Sequence, residues 1–366
     1  MTQRAVMHVD LDYFYAQCEE KLNPTIRGKP VVVCVYSGRT EESGVVSSGN
    51  YEARKYGVKA GIPIARAKRL LDGTGAVLLP MNRPQYEEVS RRIMETLRDW
   101  ADAFEQAGID EAYLEVTNTT NGNFEKAEEI GRELKRRIIE QEHISCSIGI
   151  APNKLVAKIA SDHNKPDGLT IIRPEQLTSF IEVLQVGKIP GVGKKVEEKL
   201  KQLNVETVKQ LKALESPSLI ESFGTSLGTF LYRAARGEND DPVMERDQPT
   251  QLSRIATLKK DTREIAEIMP LLEELTNSVA QKAVEAGVTC RSVGMIAVLN
   301  DLSVHNRSRT LDTSTSDPKV IAKNVKELTA QFLQSMPSAV ARRLGIRLSG
   351  LSKMAGQTDI SKFLHD

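Results

Sequence analysis

The sequence predicts an α+β chain in which each half carries a βαββαβ unit, and three observations lead there. Apolar residues alternate at strand period or recur at helix period in the order strand, helix, strand, strand, helix, strand, once in each half. In the first half that order closes if residues 11–80 are an insertion after the opening strand, which makes the unit a ferredoxin-like split motif. The length, 366 residues, exceeds one ordinary domain and fits two to four.

The opening strand is Ala5-Val6-Met7-His8-Val9-Asp10-Leu11-Asp12, a short apolar run ending in two aspartates at i and i+2, which point to one side. Residues 13–20 read as a helix that begins just past the acidic pair, with Tyr13, Phe14 and Tyr15 in its first turn. Phe14 has the character of a core residue, while backbone N–H groups at such a helix start suit phosphate oxygens. Pro30-Val31-Val32-Val33-Cys34-Val35 is a buried strand, and Gly44-Val45-Val46-Ser47-Ser48-Gly49-Asn50 reads as a loop of small residues. Residues 51–58 form one or two helical turns closed by Gly57. Tyr51 and Arg54 lie three apart on one face, a hydroxyl and a guanidinium fork suited to a triphosphate.

Helical periodicity runs through 84–104 by way of Val89, Ile93, Leu97, Trp100 and Ala101. Two strands flank Gly108-Ile109-Asp110-Glu111, and a helix at 124–141 and a strand at 145–150 complete the unit. In that topology the end of the first strand lies beside the turn between the central strands, so Asp10 meets Asp110 and Glu111. Adjacent carboxylates repel unless a cation sits between them. Mg²⁺ favours one or two carboxylates with waters and substrate phosphates, and two ions bridged by shared carboxylates drive in-line nucleotidyl transfer. A helix at 153–160 and the turn Lys165-Pro166-Asp167-Gly168 follow, with Lys165 in reach of phosphate.

Ile189-Pro190-Gly191-Val192-Gly193-Lys194-Lys195 places Gly-x-Gly between two short helices, where backbone amides approach a phosphate and Lys194 adds charge. This is the pattern of a helix-hairpin-helix, which grips the nucleic-acid backbone without reading sequence. The mononucleotide loop G-x-x-x-x-G-K-[ST] occurs nowhere. Residues 238–251, with Pro242 and Pro249, read as a linker. Beyond it the second unit runs β 252–258, α 264–286, β 292–299, β 304–311, α 318–334, β 343–349. Its strands carry Arg254, Arg307, Arg309, Arg342, Arg343 and Arg347; Arg307 and Arg309 share one side, as do Arg343 and Arg347. Arginines along one face of a sheet can track phosphates. Between Ser253 and Ser352 there are 14 Lys/Arg against 10 Asp/Glu, a local +4 that the overall formal charge of +1 conceals.

The composition, 40% hydrophobic and 27% charged, is that of an ordinary soluble chain. Cys18, Cys34, Cys146 and Cys290 lie far apart with no C-x-x-C, so neither a zinc site nor a disulfide framework is indicated. No apolar run approaches transmembrane length and no cleavable leader opens the chain, which leads to the expectation of a cytoplasmic protein without membrane attachment. In the last residues, Gln357, Ile360, Phe363 and Leu364 stand at offsets 0, 3, 6 and 7; one helical turn would gather the three apolar side chains into a partner-docking plug.

Together these residues resemble a known family. Val9-Asp10-Leu11-Asp12-Tyr13-Phe14-Tyr15, Asn50-Tyr51-Glu52-Ala53-Arg54, Ile109-Asp110-Glu111-Ala112-Tyr113-Leu114, Lys165-Pro166-Asp167-Gly168 and Pro190-Gly191-Val192-Gly193 occur in the order of the DinB-type Y-family DNA polymerases, the archaeal members above all. The resemblance spans essentially the whole chain. Gly108 departs from it, since the family has serine in its S-[IL]-D-E pattern. The resemblance implies a right-hand polymerase with palm (1–10 and 82–171), fingers (11–81), helical thumb (172–236), linker (237–252), little finger (253–352) and a clamp-binding tail (353–366). It implies a low-fidelity enzyme that adds dNTPs to a primer 3′-OH across damaged template bases. Asp10, Asp110 and Glu111, with the Leu11 carbonyl, would hold two Mg²⁺. Tyr13, Phe14, Tyr15, Tyr51, Arg54 and Lys165 would meet the incoming nucleotide, Tyr15 as the steric gate against a ribose 2′-OH. Small residues near 45–49 would cover the nascent base pair loosely. Gly191, Gly193, Lys194 and the six arginines would contact primer-template DNA, and Gln357, Ile360, Phe363 and Leu364 would dock a sliding clamp onto a monomeric enzyme.

Two other readings compete. A palm-type nucleotidyl cyclase would share the paired acids but has no use for a helix-hairpin-helix or an arginine-bearing C-terminal unit. A non-catalytic DNA-binding relative would keep those features and lose the carboxylates, and all three are present.

Overall fold

The computed structural model describes residues 3–245 and 249–354, so the docking stretch around Gln357, Ile360, Phe363 and Leu364 lies outside the described residues. The chain divides into two compact units, 1–35 with 46–62 and 66–245, and 36–45 with 63–65 and 246–366. Among the described residues no helix is long and apolar enough to cross a membrane, and all four cysteines are buried and in no disulfide.

The first unit begins with β1 (Val6–Leu11) and α1 (Phe14–Leu22). A three-stranded sheet follows, in the order β3-β2-β4, from β2 (Val31–Tyr36), β3 (Gly44–Gly49) and β4 (Val77–Pro80). The stretch expected to be a loop is thus the strand β3. Val45 and Val46 favour a pleated sheet, and the glycines and serines around them masked that preference. Between β3 and β4 lie α2 (Tyr51–Lys55) and α3 (Ile64–Leu70). Asn50 fixes the start of α2: its side chain accepts from Ala53 N at 3.0 Å and Val31 N at 3.0 Å, and donates to Lys29 O and Glu20 at 2.8 Å.

The ferredoxin-like order then resumes with α4 (Arg83–Arg98), β5 (Ala103–Gln106), β6 (Glu111–Glu115), α5 (Thr117–Thr120), α6 (Phe124–Glu142) and β7 (Cys146–Ala151). Helix α4 stops short of the predicted residue 104 because β5 takes Ala103 and Phe104 into the sheet. Helix α7 (Lys154–His163) leads to β8 (Leu169–Ile171), and the sheet runs β5-β6-β1-β7-β8. Met7, Val9 and Leu11 on one face of β1 join Tyr86, Val89, Ile93 and Leu97 of α4 and Leu134 and Ile138 of α6 in a continuous core. His8 and Asp10 therefore point to the other face, which α7 covers. That helix comes unusually close to β7. A β-carbon on Gly149 would lie 2.0 Å from the Ala157 carbonyl oxygen, so only glycine allows the approach.

The rest of this unit is helical: α8 (Leu177–Glu182), a 3₁₀ turn at Val186–Lys188, α9 (Lys194–Gln202), α10 (Val208–Lys212), α11 (Ser216–Phe223) and α12 (Thr225–Ala234). These helices share an apolar cluster with α7 that includes Ile159, Ile181, Leu200, Leu211, Leu219 and Leu231.

The second unit has the predicted element order: β9 (Gln251–Thr262), α13 (Ile265–Glu285), β10 (Val288–Leu299), β11 (Val304–Thr315), α14 (Pro318–Ser335) and β12 (Ala341–Lys353). Its sheet runs β11-β10-β12-β9 with every pairing antiparallel. Both helices pack on one face, where Val293, Met295, Ile346 and Leu348 meet Leu275, Val279, Val325 and Phe332.

Candidate active site

The three acids meet at the end of β1. Asp10 stands directly across from Glu111 in the β1–β6 ladder, and Leu11 N donates to the Asp110 carbonyl at 2.8 Å. Residues opposite one another in an antiparallel pair project to the same face, so Asp10 and Glu111 share the face covered by α7. A tight turn completes the arrangement, with Ala107 N and Gly108 N both donating to Glu111 O at 3.1 Å.

Two lysines and a histidine attend these acids, none of them foreseen in this pairing. Lys165 Nζ lies 2.7 Å from Asp10 and 2.6 Å from Asp162. Lys158 is ion-paired with Glu111, and His8 Nε2 lies 3.2 Å from the same carboxylate oxygen. Burial, against the pull of Lys165, pushes Asp10 up to about 6, and Asp110 rises through burial and the neighbouring Glu111. The hydrogen bond from His8 and the ion pair with Lys158 hold Glu111 down to about 2. His8 is wholly buried and held below its ordinary value by desolvation. Among the described residues no group of three or more His, Cys, Asp or Glu side chains is placed to hold an ion, and Asp10 and Glu111 each pair with a lysine. The donor set nevertheless suits a divalent ion: hard carboxylate oxygens, two of them on acids whose charged forms are disfavoured by burial and by each other. The period-two rule contained the signal for His8, two residues before Asp10 on the same face. Lys158 carried no local signal, since its partner Glu111 lies 47 residues away in the chain.

Asp12 departs from the expectation of a convergent pair. The strand ends at Leu11, so the alternation stops before Asp12. Its buried carboxylate accepts from Ser147 Oγ at 2.8 Å, Ser145 Oγ at 3.0 Å and Asp167 N at 2.8 Å. It is a tie between the end of β1, β7 and the turn that carries Lys165, not an acid presented to the site.

A cavity of about 670 Å³ opens over the acids, lined by Asp10, Leu11, Asp110 and Lys165 below and by Tyr13, Phe14, Tyr15, Tyr51 and Arg54 to the side. Ser47, Ser48 and Gly49 of β3 also line it, as do Lys59 and Ala60, which the sequence reading left aside. Arg54 stacks on Tyr51 at 4.6 Å and its Nε donates to Gly49 O at 3.0 Å. Tyr13 meets Tyr51 edge-on at 5.4 Å. Its backbone at φ 35°, ψ 43° is left-handed, a conformation disfavoured for a bulky residue and often stored at functional sites. Phe14 is buried in the core, as its character predicts. Tyr15 stacks on the fully buried Tyr86, with centroids 4.8 Å apart and planes at 19°, and Tyr86 donates its hydroxyl to Glu19.

The remaining sequence candidates lie on other surfaces. Gly191, at φ 93°, makes the turn before α9, while Gly193 caps that helix and Lys194 begins it. The element before this turn is a single 3₁₀ turn, shorter than the helix expected there. The arginines of the second unit do not share one face. Arg307, Arg309 and Arg254 stand opposite Met295, Val293 and Ile346, on the helix-covered face. There Arg309 bonds Asn324 and pairs with Glu327, Arg254 bonds Ser278, and Arg307 lies 5.8 Å over the Phe332 ring. Arg343 and Arg347 stand opposite Val298 and Gly294, on the open face. Arg342 sits at a register shift, 3.7 Å from Asp261.

Residues 9–162 match the family model described as the impB/mucB/samB family, and residues 249–361 match that family's C-terminal domain. Residues 187–239 match a model described as the thumb domain of DNA polymerase-iota. Proteins named DNA polymerase IV from Nitrosopumilus maritimus and Methanosarcina acetivorans are 43% and 42% identical, over 99% and 98% of this chain and 100% and 99% of theirs. Among solved structures, a chain titled Y-family DNA polymerase chimera Dbh-Dpo4(243-245)-Dbh superposes with a TM-score of 0.89 at 37% identity, over 94% of this chain and 98% of that one. An insertion ternary complex of Dbh DNA polymerase gives 0.69 at 37% identity over the same shares.

Proposed function

This chain belongs to the impB/mucB/samB family of Y-family DNA polymerases, and from that membership we propose how its own residues carry out synthesis. It is a DNA-directed DNA polymerase of the translesion class, acting on primer-template DNA and dNTPs. Enzymes of this class depend on divalent metal. Asp10, Asp110 and Glu111, with the Leu11 carbonyl, are the residues to hold it as two Mg²⁺. When bound, such ions activate the primer 3′-OH and neutralise the leaving pyrophosphate. The observation that carries this assignment is the ladder register that sets Asp10 across from Glu111 with Asp110 at the next peptide.

The chain's own groups do the rest. Arg54, stacked on Tyr51, and Lys165 grip the triphosphate, and Lys165 has to leave Asp10 to do so. Tyr15, backed by Tyr86, fills the space that a ribose 2′-OH needs. The small side chains of Ser47, Ser48 and Gly49 cover the base pair without a tight shape check, so a distorted template base is accepted and errors follow. Gly191, Gly193 and Lys194 hold the DNA backbone, as do Arg343 and Arg347 on the open face of the second unit. The tail from 353 onward tethers a monomeric enzyme to a sliding clamp, which offsets weak DNA affinity by effective concentration.

Primer extension with the purified chain tests the core of this reading. Asp110→Ala and Glu111→Ala should each abolish extension at saturating Mg²⁺ while the melting temperature holds; near-normal extension would remove the metal assignment. Tyr15→Ala should admit ribonucleotides, and an unchanged preference for deoxyribose would remove the gate. Deleting 357–366 should spare distributive synthesis and abolish stimulation by the clamp, whereas loss of both would give the tail a folding role. Templated extension also separates the enzyme from a cyclase or a non-catalytic binder, neither of which makes it.

A further inference from the structure

Two lysines lie on the acids of the site, and the reading above gives a task to only one. Lys165 has a triphosphate to bind. Lys158, on α7, is ion-paired with Glu111, the two side chains 27% and 26% exposed. Its Nζ also lies 3.4 Å from His8 Nε2. His8 in turn stands 2.7 Å from Ser161 Oγ, almost one turn further along α7, and Ser161 donates to the Lys158 carbonyl at 2.9 Å. Gly149 lets α7 press onto β7. The ammonium thus sits between Glu111 and a fully buried imidazole, where a surface lysine would be free to swing.

That confinement puts a full positive charge on the oxygen a metal ligand must offer. An ammonium and a divalent cation on one carboxylate oxygen repel strongly at such range. The same arrangement recurs on Asp10 through Lys165.

We propose that Lys158 is a resident counter-cation of Glu111, which a divalent ion must displace before Glu111 serves as its ligand. This rests on Glu111 being a metal ligand. With no ion bound, the ammonium offsets the burial of Glu111 beside Asp110. When an ion takes the carboxylate, the released Nζ turns to solvent, to which its side chain is already 27% exposed. The consequence is a weak hold on metal in the free enzyme, so that substrate phosphates supply the additional ligands that complete the exchange. Lys158 is a positioning residue in this scheme.

The test is Mn²⁺ binding to the full-length chain without DNA or nucleotide, followed by EPR. Lys158→Met should tighten binding by roughly 5- to 20-fold, the effect of removing one close, partly screened charge. Lys158→Arg, which keeps the charge, should stay within about 2-fold of the parent. Tightening in the Met variant alone supports the exchange. Unchanged or weaker Mn²⁺ binding in Lys158→Met, including none that can be detected, overturns it, as does equal tightening by Arg. Glu111→Ala separates the two levels: if it binds Mn²⁺ as the parent does, the ligand assignment itself fails. If it loses binding while Lys158→Met gains nothing, only the counter-cation is refuted. Melting temperatures in Mn²⁺-free buffer identify any variant that has not folded, and Lys158→Gln then takes the place of the Met variant.

Discussion

The two βαββαβ units have the same order of elements and different sheets. In the first, the opening strand β1 is central, between β6 and β7; in the second, the opening strand β9 is at the edge and β10 and β12 are central. The sequences account for the difference. Val6-Met7-His8-Val9-Asp10-Leu11 is almost wholly buried, as a strand covered on both faces must be. β9 carries Lys259, Lys260 and Asp261 and is mostly exposed, which suits an edge that must not recruit other strands. The functional consequence is large. A central β1 brings its last acid beside the β5–β6 turn, whereas an edge strand ends beside one neighbour only. Element order alone therefore does not build a catalytic centre; the burial of the first strand does.

The sharpest way to break this comparison is at the end of β1, where two aspartates two residues apart have opposite tasks. Asp10→Ala should lower primer extension on the order of 10³-fold or more, the scale of losing a group that organises transition-state charge. Its melting temperature should hold or rise, since burial already disfavours the charged form of Asp10. Asp12→Ala should do the reverse. It leaves Ser147 and the Asp167 amide without their acceptor and Ser145 with only Gln17 at 3.3 Å, a cost of about 2–4 kcal/mol, or roughly 5–10 °C in a unit of this size. Equal losses of activity at equal stability in both variants would return Asp12 to the site.

The second unit yields a smaller effect with the same logic. Arg343→Ala and Arg347→Ala, on the open face, should each reduce the salt dependence of DNA binding by about one unit of slope. Arg309→Ala should leave the slope nearly unchanged and cost little stability, since its pair with Glu327 is exposed. Six equivalent slopes from the six arginines would mean that the face division has no bearing on DNA binding.

These contrasts also mark what the sequence could yield. The carboxylates were legible because strand ends and a turn place them by topology, with no knowledge of side-chain packing. So were Tyr51 and Arg54, three apart on one turn. Asp12 misled because period-two alternation was carried one residue past the end of β1 at Leu11. The arginines misled because alternation within a strand says which residues share a side, not which side the helices cover. Lys158 was beyond reach for a third reason: its place beside Glu111 depends on how closely α7 sits on β7, an approach that Gly149 permits and no local pattern reports.

The smallest effect falls on Gly108, where the family pattern has serine. Its backbone is not in the left-handed region, so the conformation itself tolerates a side chain. A β-carbon there would lie 3.1 Å from Glu111 Cγ and 3.4 Å from Asp110 Oδ1, tight enough that a neighbour must shift by a few tenths of an ångström. Glu111 is the neighbour least able to yield, because Lys158 and His8 hold its carboxylate. Gly108→Ala should therefore lower kcat for extension by roughly 2- to 5-fold, the price of a sub-ångström displacement at a reacting centre, with little change in melting temperature. In a Lys158→Met background Glu111 is freer to move, and the same substitution should then cost less than 2-fold, a non-additivity expected of residues in one network. An identical loss in both backgrounds would mean that Gly108 acts on Asp110 and not through the clamped Glu111.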